Sequence, residues 1–123
     1  MARVLVVEDD LRLKMTYDIL LQKEGHTVDR ALNGEEALGK LASFKPDLIL
    51  LDISMPKMNG VQFLEAARVR DNHPNLRVIV FSNLSNPVEM EKCFELGATK
   101  YMLKSSTSPK QLAALVQETL ANG

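Results

Sequence analysis

The stretch Asp47-Leu48-Ile49-Leu50-Leu51-Asp52-Ile53-Ser54-Met55-Pro56-Lys57-Met58-Asn59-Gly60 constrains this chain more than any other. Leu48 to Leu51 are four aliphatic residues with no polar alternation. Such a run reads as a strand covered on both faces, and the proline and glycine that follow end it in a loop. The strand therefore delivers Asp52 to a sheet edge. Asp52 either caps the turn, a common use of aspartate, or carries chemistry.

Three other segments end in the same manner. Val4-Leu5-Val6-Val7 is apolar on both faces and runs into Glu8, Asp9 and Asp10. Val78-Ile79-Val80-Phe81 ends on Ser82-Asn83, and Tyr101-Met102-Leu103 ends on Lys104. Thr27-Val28-Asp29-Arg30-Ala31 alternates in polarity as an edge strand does. Between these strands lie helical segments. Leu11 to Glu24 carries Leu13, Tyr17, Leu20 and Leu21 on one face and stops at Gly25. Asn33-Gly34-Glu35-Glu36 resembles a capping box and opens a helix to about Leu41, and Gly60 to about Arg70 reads as a third helix. Asn86-Pro87 with Glu89 opens a fourth, ended by Gly97. Ser108-Pro109-Lys110-Gln111 opens the last, with Leu112, Leu115, Val116 and Leu120 on one face. Five βα units with short connections predict a three-layer α/β/α sandwich with a five-stranded, mainly parallel sheet, its site at the carboxyl ends of the strands.

At 123 residues the chain fits one domain, 1–123, and no separate output module is expected. Fifteen basic against sixteen acidic residues argue against direct nucleic-acid or membrane binding. The single Cys93, the absence of a signal-peptide pattern after Met1, and the lack of a long apolar run predict a cytoplasmic location.

The strand ends converge on one chemistry. Glu8, Asp9 and Asp52 would crowd together, and their repulsion must be relieved by protonation, a cationic side chain or a metal. With no Cys/His cluster, an all-oxygen set favours Mg2+ over zinc. A hard cation beside Lys104 and the Ser82 hydroxyl would let one carboxylate attack phosphorus, forming an aspartyl phosphate.

These segments together resemble the receiver domain of two-component response regulators, over essentially the whole chain. The most specific pieces are Val4 to Asp10, Leu50 to Gly60, Val78 to Ser82, and Gly97-Ala98-Thr99-Lys100-Tyr101-Met102-Leu103-Lys104. The resemblance implies a flavodoxin-like (βα)5 fold with strand order 2-1-3-4-5. It implies Asp52 as phosphoacceptor, Asp9 and the Ser54 backbone carbonyl as metal ligands with Asp52, and Glu8 acting through metal-bound water. Lys104 would pair with the phosphoryl group, while Ser82 and Tyr101 would be the switch hydroxyl and aromatic. The implied function is a phosphorylation-dependent signalling switch, not a turnover enzyme. Its phosphodonor would be a histidine kinase or phosphotransfer protein. Its output would be a downstream protein partner bound at the face of the fourth helix, fifth strand and fifth helix, from a monomer or weak homodimer. It is either a stand-alone receiver or one taken from a longer regulator.

Ser105 departs from the family, which commonly has proline there with a cis bond. Without proline a cis peptide costs about 2.5–4 kcal/mol, so Lys104–Ser105 is expected trans. Asn83 is bulkier than the residue often found after the switch hydroxyl, which would alter access to the phosphoryl site. Asp10 is expected to cap the first helix rather than ligate. Leu11, Met15 and Ile19 form an apolar line away from the sheet and are the candidate kinase-docking surface, against scattered surface residues as the alternative. His26 and His73 are expected on the surface, and Cys93 in packing. A haloacid-dehalogenase-type phosphatase would need a second aspartate where Ser54 stands. An FMN carrier would find its phosphate repelled by Glu8, Asp9 and Asp10. A pseudo-receiver that only scaffolds remains the alternative function.

Overall fold

The four aliphatic residues before Asp52 do lie wholly out of solvent, because they form the middle strand of the sheet. The computed structural model describes residues 2–55, 58–83 and 86–121, so the part of the expected turn at Pro56 and Lys57 lies outside the described residues. The order is β1 (Arg3–Val7), α1 (Leu11–Lys23), β2 (Thr27–Ala31), α2 (Gly34–Ser43), β3 (Leu48–Asp52), α3 (Gly60–Ala67) and a single turn α4 (Val69–Asn72). It continues with β4 (Arg77–Ser82), α5 (Pro87–Glu95), β5 (Lys100–Leu103), a 3-10 turn (Lys104–Ser106) and α6 (Pro109–Ala121). All strand pairs are parallel, in the order β2-β1-β3-β4-β5. The register sets Val7 beside Leu51 and Asp52 beside Phe81, so the carboxyl ends of β1, β3 and β4 finish nearly level.

The sheet divides the core in two, as strand alternation requires. Leu5, Val7, Ile49, Leu51, Val78 and Val80 face Ala37, Phe63, Leu64 and Cys93 of α2, α3 and α5. Val4, Val6, Leu48, Leu50, Ile79 and Phe81 face Tyr17 and Leu21 of α1 and Leu112 and Val116 of α6. The expected faces of the first and last helices are thus the ones used.

Two expectations are corrected. The helix from Gly60 does not continue to Arg70 but breaks at Arg68, which takes a left-handed φ of 50°. The break has a packing cause. In a continuous helix Val69 would stand about 200° round from Ala67, away from the sheet. The turn at Arg68 returns it to the core, where it is buried with Phe63 and Ala67. His26 is not a surface residue: it is 7% exposed, and its Nδ1 accepts the Ala2 N–H at 3.2 Å. Burial, helped by the positive amino terminus and opposed by Glu24, holds the imidazole below its ordinary pKa. His73 is half-buried. Cys93 is wholly buried, and burial followed by the charge of Glu89 pushes its thiol up to about 11, in keeping with a packing role.

Candidate functional site

Local rules fix the approach of each element to the upper edge of the sheet. Asp10 is the N-cap of α1: its Oδ1 accepts from the Arg12 and Leu13 amides at 2.9 and 3.4 Å. That use leaves Asp10 turned to its own helix. Asn59 caps α3 in a reciprocal box with Gln62. The next residue, Gly60, packs directly beneath β3. A Cβ there would lie 2.8 Å from the Asp52 carbonyl oxygen and 2.9 Å from Ile53 Cα. The Gly60 amide also donates to the Ile53 carbonyl at 3.0 Å, so backbone holds the position of Asp52 from below.

Of the expected site residues, Glu8, Asp9, Asp52 and Lys104 come together. Carboxylate oxygens of Glu8, Asp9 and Asp52 lie within 4.8 Å of one another. Lys104 Nζ stands 2.9 Å from Glu8 Oε1 and 3.1 Å from Asp52 Oδ2, with its side chain 14% exposed. The Ser54 amide donates to Asp52 Oδ1 at 3.1 Å, while the Ser54 residue itself is exposed. Asp52 and Glu8 are each 2% exposed, whereas Asp9 reaches solvent. Burial above all, then the hydrogen bond to Asp52, pushes the Glu8 carboxyl up to about 8, against the pull of Lys104 in the other direction. Burial lowers the Lys104 ammonium pKa, but the two carboxylates outweigh it and the net movement is upward.

The donor set fits a hard divalent cation. All three side chains offer oxygen, and Glu8 Oε2 is buried without a hydrogen-bond partner among the described residues, an atom that a bound cation or its water would satisfy. Glu8, Asp9, Asp52 and a neighbouring carbonyl would hold it.

Ser82 ends β4 with 3% of its surface exposed. Tyr101 on β5 lies in register with Val80, two residues before Ser82. Its phenol donates to Glu89 Oε1 at 3.4 Å. Burial above all pushes the phenol's pKa up, with the nearby Ser82 side chain pulling the other way. Of the expected aromatic's neighbours, Glu89 is one that it bonds. Sequence reading gave Glu89 only a capping position, because no local pattern tells which cross-strand phenol a first-turn carboxylate will meet. Asn83 is exposed. No described peptide bond is cis, so Lys104–Ser105 is trans and Ser105 lies exposed in the 3-10 turn, as the energetic argument expects.

Leu11, Met15 and Ile19 emerge as a line on α1, 61, 58 and 55% exposed. Among the described residues no helix is long and apolar enough to cross a membrane.

A family model described as the response regulator receiver domain matches residues 4–117. Chemotaxis protein CheY of Thermotoga maritima is 32% identical over 114 residues, which cover 92% of this chain and 93% of that protein. Protein-glutamate methylesterase/protein-glutamine glutaminase 1 of Myxococcus xanthus is 38% identical over 103 residues, 82% of this chain. The match covers 29% of that protein's length, and a match to the gliding motility regulatory protein of Myxococcus xanthus covers 15% of it. Among solved structures, a CheY-like response regulator receiver domain protein from Methanospirillum hungatei superposes with a TM-score of 0.90 at 27% identity, over 99% of this chain and 95% of that one. CheY4 of Vibrio cholerae gives 0.87 at 28% identity, over 97% and 98%.

Proposed function

The chain belongs to the response regulator receiver domain family, and from that premise we propose that it is a phosphorylation-dependent switch that accepts a phosphoryl group on Asp52. The observation that carries the reading is the Lys104 ammonium lying between the buried carboxylates of Glu8 and Asp52, with Asp9 alongside. A structural ion pair needs one carboxylate; three acids and a lysine gathered at strand ends make a site for a charged, oxygen-rich group.

The phosphodonor in this reading is a phosphohistidine of a histidine kinase or phosphotransfer protein. An Asp52 carboxylate oxygen forms the new bond to phosphorus as the bond from phosphorus to the donor nitrogen breaks, and the electron pair leaves with the imidazole. The Ser54 amide holds one Asp52 oxygen and so fixes the carboxylate plane, which aims the other at the entering phosphorus. Lys104 then shifts its charge from Asp52 Oδ2 to the transferred oxygens. The Ser82 hydroxyl turns toward those oxygens as well, and Tyr101 follows. A magnesium ion bound by Asp9, Asp52 and the Ser54 carbonyl, with Glu8 through water, would supply charge neutralisation for the incoming phosphoryl group. The Leu11, Met15 and Ile19 line serves as the kinase-docking surface, and the α5–β5–α6 face as the output surface for a protein partner.

The test is incubation with acetyl phosphate with and without Mg2+, read by intact mass. A gain of one phosphoryl group that needs Mg2+ and disappears in Asp52→Asn is expected. No gain in the wild type would favour a non-phosphorylated scaffold.

A further inference from the structure

We propose that Gly34 is a positioning residue for the metal site, mooring the loop that leaves β3 and with it the Ser54 carbonyl; this rests on reading Asp9, Asp52 and that carbonyl as the ligands. The Gly60 amide donates to the Ile53 carbonyl at 3.0 Å, one residue before Ser54. Two residues before Gly60, the Met58 carbonyl accepts the Gly34 amide at 2.9 Å. The two bonds act in series. A displacement of Met58 passes along the chain to Gly60 and from there to Ile53 and Ser54.

Gly34 is well placed for the role. It is the first residue of α2, so its amide has no partner inside the helix and is free to hold the loop. The helix start is itself fixed. Asn33 Oδ1 accepts the Glu36 amide at 3.0 Å, Glu36 Oε1 accepts the Leu32 amide at 3.0 Å, and Lys40 Nζ ties the helix to Asp29 of β2 at 2.7 Å. No other residue type fits. A Cβ on Gly34 would lie 2.6 Å from Met58 Cγ, 2.8 Å from the Met58 carbonyl oxygen and 2.9 Å from Met58 Cβ. The Cγ can swing aside, but the oxygen and the Cβ move only with the backbone. The requirement is for room, because Gly34 is not among the residues with positive φ. Any side chain at this position pushes Met58 away and lengthens the bond that moors it. Mg2+ tolerates little departure from octahedral geometry, so a carbonyl carried off its place weakens the site.

The experiment begins on the unphosphorylated protein with Mg2+ alone as the probe. Amide resonances of the 15N-labelled chain are followed by NMR as Mg2+ is added to wild type, Gly34→Ala and Gly39→Ala. Gly39 lies on the same helix with nothing within 4 Å of a would-be Cβ, so both variants gain the same helix propensity and only one meets the loop. Gly34→Ala is expected to raise the Mg2+ concentration that half-shifts Ser54 and Met55 by about tenfold or more, the scale on which lost support of a metal ligand acts. Gly39→Ala should titrate as the wild type does, and a Gly34→Ala protein that does the same overturns the proposal. In the wild type the coupling is reciprocal, so Mg2+ should slow hydrogen exchange at the Gly34 amide and leave that at Gly39 alone. An indifferent Gly34 amide overturns the mooring even if Gly34→Ala does not fold. In acetyl phosphate labelling, Gly34→Ala should need about tenfold more Mg2+ for half its maximal rate; a lower maximum with an unchanged Mg2+ requirement would make the residue merely structural. If Mg2+ moves neither Ser54 nor Asp9 in the wild type, the metal reading fails and the positioning role with it. If Mg2+ moves them but Gly34→Ala binds it as tightly, only the mooring fails.

Discussion

Substituting Gly60 by alanine tests whether backbone contact beneath β3 sets the position of Asp52. The added Cβ would lie 2.8 Å from the Asp52 carbonyl oxygen and 2.9 Å from Ile53 Cα. Both neighbours are backbone atoms of the buried central strand and its exit, so no flexible side chain can yield. Ordinary carbon contacts are about 3.5–4.0 Å, so β3 and α3 must separate by roughly 0.5–1 Å. Overpacking of this kind costs about 1–3 kcal/mol, and the better helix propensity of alanine offsets less than about 1. For a chain of this size that lowers Tm by about 3–15 °C. The same movement carries Asp52 off line, and a misplacement near 1 Å is worth up to about a hundredfold in rate. The assay pairs thermal melting with acetyl phosphate labelling in Mg2+. Gly39→Ala is the control: Gly39 is on α2 with nothing within 4 Å of its would-be Cβ, so alanine there should stabilise by about 0.5–1 kcal/mol and leave labelling alone. A Gly60→Ala protein as stable and as readily labelled as the wild type would refute the reasoning.

Asp10→Ala should cost about 0.5–2 kcal/mol through loss of the α1 cap yet leave the Mg2+ requirement for labelling unchanged; a raised Mg2+ requirement would make Asp10 a ligand. His26 is held neutral with a depressed pKa, so its stability contribution is full above its unfolded value of 6.5 and is lost as pH falls below that. Melting at pH 7.5 and pH 5 should therefore show a larger acid loss for the wild type than for His26→Gln, by about 1 kcal/mol; equal losses would deny His26 the role. Met15→Glu with Ile19→Glu should slow transfer from a cognate kinase and spare acetyl phosphate labelling, and equal loss of both would remove the docking reading.

Much of this was legible because it is local. Leu48 to Leu51 admit only a covered strand, Asn86-Pro87 and Ser108-Pro109 punctuate their helices, and both caps form as written. The meeting of Asp9, Asp52 and Lys104 followed from strand ends sharing an edge. What was missed depends on partners distant in the chain. His26 looks like a turn residue until Ala2, 24 positions earlier, donates to it. The break at Arg68 is decided by room for Val69 in the core, which overrides a continuous helical pattern. Lys14 and Asp18 lie on the buried side of α1, where polar residues carry no periodicity signal.

The two walls of the site differ in how they are anchored. Asp52 belongs to a strand paired on both sides and wholly buried, so its amides should exchange with solvent only when the entire sheet opens. Lys104 follows the half-buried edge strand β5, which pairs on one side only, and begins a 3-10 turn. Its surroundings can open locally at a fraction of that free energy. In deuterium uptake the acid should thus be among the last positions to label and the lysine among the early ones. In the proposed transfer, the charge that would move stands on the part of the molecule that fluctuates, and the atom that would be found in place stands on the part that does not.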